Sequence, residues 1–312
     1  MLRKPNVVYV FFILVMMACV FGCKSKHAVV KKEIVKVPEE MDDQITDNIQ
    51  AVLQFANDNN GKINDSIKLY LPGVVTSFYD KNNFHNIWSR KEKWNPLADS
   101  MFDFIEHSKY YGLYPEDYHL KELTALRKKL IDDTLAKTDA IVWTKADLML
   151  SDAFMKTSKD LKEGRLVPDS VSITKKPNFI DSFFVENLNE VRKNNSVTDL
   201  FDSMQPANFR YHALKNLVKD FVDSMDTTPH QFIVYPQKDS QLLVKNIQER
   251  LLDEGIIDSI EEFPDSVMFS KELKKYQGAH KLKKDGKIGP KVIGSLNNFD
   301  VENFKRIAIT LD

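Results

Sequence analysis

The chain contains very little cysteine. Among its 312 residues only Cys19 and Cys23 are cysteines, and both lie in the first apolar segment. The sequence after Cys23 therefore has no disulfide, no thiolate metal site and no cysteine nucleophile. Thiol chemistry is excluded from the portion that folds.

Other site patterns are missing too. None of the seven histidines forms the i, i+4 pair that places two imidazoles on one helix face, so we predict no metal site. There is no glycine-rich phosphate loop and no Gly-x-Ser-x-Gly elbow, and we expect no cofactor. With 44 basic and 45 acidic residues, the net charge is −1 and no basic stripe remains. Nucleic acid is therefore not an expected partner.

The first residues have the pattern of an export signal. Two basic residues precede an uncharged apolar run over residues 7–22, and polar sequence follows Cys23 at once. The Gly-Cys junction resembles the lipobox of bacterial lipoproteins, which implies a lipoprotein signal peptide over 1–22 and lipidation of Cys23. An uncleaved membrane anchor is the alternative. Both readings place Lys24 onward on the periplasmic side of the bacterial cell envelope, attached to a membrane, because the basic residues stay inside.

The remaining sequence predicts a mainly α protein. Residues 23–45 form a polar tether, and from about Asp47 apolar residues recur at spacings of three and four. The longest such stretch is Thr138–Leu161, which Gly164 ends. No alternating run is long enough to require a large sheet. Residues 46–235 are therefore predicted to form one helical domain.

Residues 236–298 predict a small three-helix bundle. The second helix begins with Ser270 as its N-cap, Asp285-Gly286 forms a turn, and the third helix begins at Gly289-Pro290. A core of this size is marginal alone, so we expect the bundle to pack on a neighbour.

Specific residues of this bundle resemble the three-helix peptidoglycan-binding domain of bacterial wall enzymes. They are Leu273-Lys274-Lys275-Tyr276-Gln277, Leu282 and Asp285-Gly286-Lys287-Ile288-Gly289-Pro290. Lys281 departs from the family by standing where a left-handed glycine is usual, at a cost of about 1 kcal/mol.

The resemblance implies peptidoglycan as the partner of the bundle. The candidate contacts with peptidoglycan are Gln277, Lys284, Asp285 and Lys287. Three alternatives stay open: the Asp-Gly turn serves backbone geometry, the exposed lysines are a solvated face, and the bundle is only a spacer.

The preceding helices resemble the scaffold domain of the large L,D-transpeptidases. The residues concerned are Val75-Thr76-Ser77-Phe78-Tyr79, Ile87-Trp88, Tyr111-Gly112-Leu113-Tyr114-Pro115-Glu116-Asp117-Tyr118-His119, Leu150-Ser151-Asp152-Ala153-Phe154, and the run from Lys159 to Pro168. The fold expected is thus a helical scaffold domain followed by a small peptidoglycan-binding-like bundle. In that family a catalytic domain with a cysteine nucleophile and a histidine base comes next.

The missing cysteine bears directly on this family's chemistry, which needs a thiolate. We therefore predict no catalytic residues in this chain and interpret residues 299–312 as the start of a linker helix to an absent catalytic domain. The expected function is the non-catalytic scaffold and peptidoglycan-binding portion of a truncated or fragmentary L,D-transpeptidase. The alternative is a stand-alone envelope lipoprotein that binds peptidoglycan and tethers or scaffolds without enzymatic activity. Coding sequence beyond residue 312 would discriminate the two.

Overall fold

The computed structural model describes residues 34–166 and 181–312. The predicted signal peptide at 1–22, the predicted lipidation site Cys23 and the first part of the predicted tether lie outside these residues. None of the described helices is both long and apolar enough to cross a membrane.

Helices dominate the described part of the chain, which confirms the mainly α prediction. They are α1 (Met41–Asp58), α2 (Pro72–Lys81), α3 (Pro96–Glu106), α4 (Leu120–Asp132), α5 (Thr134–Lys137), α6 (Ala140–Glu163), α7 (Asp181–Asn194), α8 (Thr198–Ser203), α9 (Phe209–Ser224), α10 (Ser240–Asp253), α11 (Ser266–Ala279), α12 (Pro290–Leu296) and α13 (Asp300–Leu311). Short 3-10 helices cover Pro38–Glu40, Ser108–Tyr111 and Pro115–Tyr118. The strands β1 (Ser89–Arg90) and β2 (Lys93–Trp94) form a two-stranded antiparallel sheet, with Ser89 paired to Trp94.

The described residues fall into two compact units. Unit 1 consists of residues 34–94 and 125–152, and unit 2 of residues 95–124, 153–166 and 181–312. The first part of α6 belongs to unit 1 and the rest to unit 2. The predicted domain boundary between residues 235 and 236 lies inside unit 2.

A buried carboxylate on α6 organises unit 1. Asp147 is 1% exposed, and it accepts hydrogen bonds from the Tyr79 hydroxyl at 2.5 Å and from the backbone N–H of Trp88 at 2.9 Å. The backbone N–H of Ile87 also donates to it, at 3.1 Å. One turn further along the helix, Ser151 Oγ accepts the Trp88 indole N–H at 2.8 Å. These bonds fix the segment after α2 onto α6.

The neighbouring Asp152 caps a second segment of unit 1. It is fully buried, and its two carboxylate oxygens accept the backbone N–H groups of Tyr70 and Leu71, each at 2.8 Å. These donors immediately precede α2, whose first helical residue is Pro72. The Ser-Asp pair in the scaffold-like motif is therefore part of the structural framework.

In unit 2, a comparable arrangement ties a 3-10 helix to the end of α6. The buried Tyr118 hydroxyl donates to Asp160 at 2.8 Å, and Lys156 Nζ reaches the same carboxylate at 2.5 Å. Burial raises the pKa of Tyr118, with the nearby Asp160 charge as a further cause, so the phenol stays protonated. Gly164 then ends α6 with φ of 74°, as the sequence predicts.

The last part of unit 2 contains a three-helix bundle of α10, α11 and α12. Its core is formed by Ile233, Leu243, Ile247, Leu251, Ile257, Leu273, Tyr276, Val292, Ile293 and Leu296. Asn297 connects the preceding segment to this core, since its amide donates to and accepts from the backbone of Ile233, both at 2.9 Å. The predicted start of the third helix at Gly289-Pro290 is confirmed.

The predicted N-cap Ser270 of α11 is wrong. The helix begins at Ser266, and Asp265 is the N-cap, accepting the backbone N–H groups of Val267 and Met268 at 3.0 and 2.9 Å. Val267 and Met268 are 76% and 55% exposed, so these two apolar residues of the first turn do not belong to the buried face of α11. The periodic pattern consequently starts too late to reveal this turn.

The predicted tether also needs correction. α1 begins at Met41, six residues before the predicted start at Asp47, and Met41 and Ile45 are fully buried. Val35 is buried as well, and its N–H donates to Thr138 O at 2.9 Å. The acidic first turn of α1 resembles a polar linker in the sequence, although its apolar side chains enter the core. Residues 34–45 are therefore part of unit 1.

Candidate functional site

The turn between α11 and α12 is built around the buried amide of Gln277. Its Oε1 accepts the N–H of Gly286 at 2.8 Å, and its Nε2 donates to Asp285 Oδ1 at 3.0 Å and to Lys287 O at 3.3 Å. Gln277 is only 1% exposed. Three of the four predicted contact residues thus lie together, with the amide of Gln277 engaged inside the turn.

Asp285 completes the turn as an ionised carboxylate. Its Oδ1 also accepts the backbone N–H of Lys287 at 3.0 Å. That bond, together with the one from Gln277, holds the pKa of Asp285 below its usual value. The other oxygen, Oδ2, lies 3.8 Å from Lys283 Nζ.

Gly286 is required by the conformation of this turn. Its φ is 69°, and a Cβ at this position would lie 2.2 Å from Ser270 Oγ and 2.9 Å from Ser270 O. The geometric role that the sequence allowed for the Asp-Gly pair is therefore present.

The predicted left-handed cap after α11 is confirmed at Lys281, whose φ is 56°. The next N–H, of Leu282, donates to Gln277 O at 2.7 Å and so closes the helix end. A lysine accepts this conformation at a cost of about 1 kcal/mol relative to glycine. Lys281 is therefore one more cation beside the turn.

A groove of about 480 Å³ opens beside the turn. Its apolar lining comes from Leu282, Ile288, Gly289, Pro290 and Val292, and its polar lining from Gln277, Asp285 and the lysines 283, 287 and 291. Among the predicted contacts, Gln277, Asp285 and Lys287 line the groove. Lys284 does not, because its side chain lies across Gly278 of α11, where a Cβ would be 2.6 Å from Lys284 Cε.

The groove belongs to a strongly cationic stretch of a nearly neutral chain. Residues 271–291 contain eight lysines and two acidic residues, so their net charge is +6. Lys283 and Lys291 were missed by the sequence analysis. Their positions gave a signal, since both lie within two residues of the turn motif at 285–290.

A separate charged cluster connects α10 to the end of α11. His280 stacks on Tyr276 and its Nε2 lies 2.7 Å from Glu254 Oε2, while Arg250 Nη1 lies 3.0 Å from Asp253 Oδ2. Within residues 34–166 and 181–312, no group of three or more histidine, cysteine or acidic residues is arranged to hold a metal ion. The stacking and the His280–Glu254 contact link the end of α10 to the end of α11.

A family model matches part of the chain. Residues 73–217 match the family model of the Scaffold domain, which is the scaffold of large L,D-transpeptidases. The match begins in α2, ends within α9 and stops before the three-helix bundle. A search among curated proteins finds no match to this chain.

Proposed function

We propose that this chain is the scaffold and peptidoglycan-binding portion of an L,D-transpeptidase-like protein that takes part in cell-wall cross-linking, and that it does not itself catalyse the reaction. The Scaffold-domain match over residues 73–217 is the observation that carries this proposal. The groove beside the Asp-Gly turn adds a candidate surface for the wall polymer.

The scaffold role is supported by the internal rigidity of unit 1. Asp147 and Asp152 are both buried on α6, and each accepts hydrogen bonds from backbone groups of another segment. Such bonds hold loops in one conformation, because a buried donor without an acceptor is costly. A framework of this kind suits a domain that positions other parts of a protein.

The wall-binding role is supported by the form of the groove. Its volume of about 480 Å³ lies in the range of small-ligand sites, and it combines an apolar lining with a few charged groups. The turn that carries Asp285 and Lys287 is fixed by the buried Gln277. A fixed turn lowers the entropic cost of binding.

The proposed attachment to the envelope depends on residues 1–23, which lie outside the described structure. Lipidation of Cys23, after removal of residues 1–22, would tether the protein to a membrane on the periplasmic side. Intact-mass measurement of the protein from bacterial membranes tests this. A mass that includes residues 1–22 and no lipid would instead indicate an uncleaved anchor.

Co-sedimentation tests the wall-binding proposal. We expect the purified chain from residue 24 onward to pellet with insoluble peptidoglycan at moderate salt, and to stay in the supernatant with insoluble cellulose. If the protein stays wholly in the supernatant with peptidoglycan, the bundle is a structural spacer. We also expect no transpeptidase turnover, since the chain has no cysteine after Cys23. Turnover would overturn the non-catalytic assignment.

A further inference from the structure

We propose that the groove binds short peptides with free carboxylates, the chemistry of the peptide stems of peptidoglycan, and that lysine side chains at its rim pair with those carboxylates. The rim lysines are Lys283, Lys287 and Lys291. This inference rests on the proposed wall-binding function and specifies which part of the polymer the bundle contacts.

The charge of the groove is the first argument. Lys287 and Lys291 are exposed, and among the described residues no carboxylate forms an ion pair with either. Lys283 is 87% exposed, and its contact with Asp285 is long, at 3.8 Å. Neighbouring cations repel one another, and a bound anion relieves that repulsion. The rim is therefore complementary to a ligand with negative charge.

The lining of the groove is the second argument. Leu282, Ile288 and Val292 provide aliphatic surface, and no aromatic ring is among the lining residues on which a sugar could stack. The amide of Gln277, which could otherwise bind hydroxyl groups, is engaged in the turn. Aliphatic surface together with lysines suits small apolar side chains and carboxylates. These features favour the peptide over the glycan.

The rigidity of the rim is the third argument. The backbone of Lys287 donates to Asp285 and accepts from Gln277, so the origin of this side chain is fixed on both sides. Lys291 lies in the first turn of α12, directly after Pro290. Only the flexible ends of the side chains have to be ordered when a carboxylate binds.

The experiment measures the pelleted fraction of the chain from residue 24 onward against increasing amounts of peptidoglycan. It compares native peptidoglycan with peptidoglycan whose carboxyl groups have been converted chemically to amides. The groove variant is Lys287→Gln/Lys291→Gln. The matched control is Lys271→Gln/Lys275→Gln, which removes the same charge from exposed positions of α11 that do not line the groove.

We expect the groove variant to bind native peptidoglycan about tenfold more weakly, because each exposed ion pair contributes modestly. The control should stay within about twofold of the unsubstituted chain. Amidation should weaken binding by the unsubstituted chain, and so should raising the salt from 0.1 M to 1 M, which shortens the screening length from about 10 Å to about 3 Å.

Failure of this inference can be separated from failure of the proposed function. If the unsubstituted chain does not pellet with native peptidoglycan at low salt, the wall-binding function fails and this inference fails with it. If it pellets but neither amidation nor the groove substitutions weaken binding, the groove does not recognise carboxylates, although wall binding stands. An equal loss in the control variant would mean that only the overall charge matters, which also overturns the inference.

Discussion

Replacing Asp147 with alanine should strongly destabilise unit 1. The carboxylate is 1% exposed and accepts hydrogen bonds from the Tyr79 hydroxyl and from the backbone N–H groups of Ile87 and Trp88. Alanine has no acceptor, so these donors lose the partner that compensates for their burial. The loss of stability comes from the buried donors that remain in the protein as much as from the carboxylate that is removed.

The expected change in the free energy of unfolding follows from the number of buried donors that lose the Asp147 carboxylate as acceptor. The Tyr79 hydroxyl keeps a partner, because Ser151 Oγ lies 2.7 Å from it. The two backbone N–H groups lose the carboxylate that accepts from them, and removing the acceptor of a buried donor costs about 1–3 kcal/mol. We therefore expect the free energy of unfolding to fall by about 4 kcal/mol.

Urea unfolding followed by tryptophan fluorescence measures this change. The chain has three tryptophans, Trp88, Trp94 and Trp143, and all of them lie in unit 1, so the signal reports on that unit. The control is Asp58→Ala, at an exposed carboxylate that ends α1, which should change the free energy of unfolding by less than about 0.5 kcal/mol. A loss below about 1 kcal/mol for Asp147→Ala would refute the assigned role of this carboxylate.

Three further predictions concern unit 2. Gly286→Ala should lower the free energy of unfolding by about 2 kcal/mol in urea titrations, because the new Cβ meets Ser270 Oγ at 2.2 Å; an unchanged midpoint would contradict the turn geometry. Gln277→Leu should lower the melting temperature and weaken peptidoglycan binding together, since it removes three bonds of the turn; loss of neither would show that the amide does not hold the groove. Burial, assisted by the nearby Asp202 charge, raises the pKa of Tyr211 to about 12. The stability that the neutral Tyr211 phenol contributes is fully present below the unfolded pKa of about 10 and is lost as pH rises to about 12. Tyr211→Phe should therefore make the free energy of unfolding, measured in urea, fall less steeply at alkaline pH. An unchanged decline would refute this role of Tyr211.

The helices whose buried face is marked by regularly spaced apolar residues could be predicted from the sequence. α6 and α12 lie where the spacing of apolar residues and the Gly and Pro signals place them. The start of α11 could not be found in this way, because Val267 and Met268 are exposed and the N-cap Asp265 alone marks the start of the helix. Local patterns reveal the buried faces of helices better than their first turns.

Long-range polar contacts lie beyond such patterns. Asp147 reads as an ordinary charged residue on a helix, and its partners Ile87 and Trp88 are about sixty positions away in the chain. The groove shows the same limit. The resemblance of the turn led to Gln277, Lys284, Asp285 and Lys287 but not to Lys283 and Lys291, which line the groove once the turn has folded. Predicting these neighbours requires the fold itself.

The most direct test of peptide-stem binding in the groove is chemical-shift mapping by nuclear magnetic resonance with soluble peptidoglycan fragments that carry free peptide stems. We expect the perturbed backbone amides to cluster within residues 277–292, around the groove, and fragments with amidated carboxylates to produce much smaller shifts. Perturbations confined to other parts of the chain, or none at fragment concentrations that saturate known peptidoglycan binders, would contradict it.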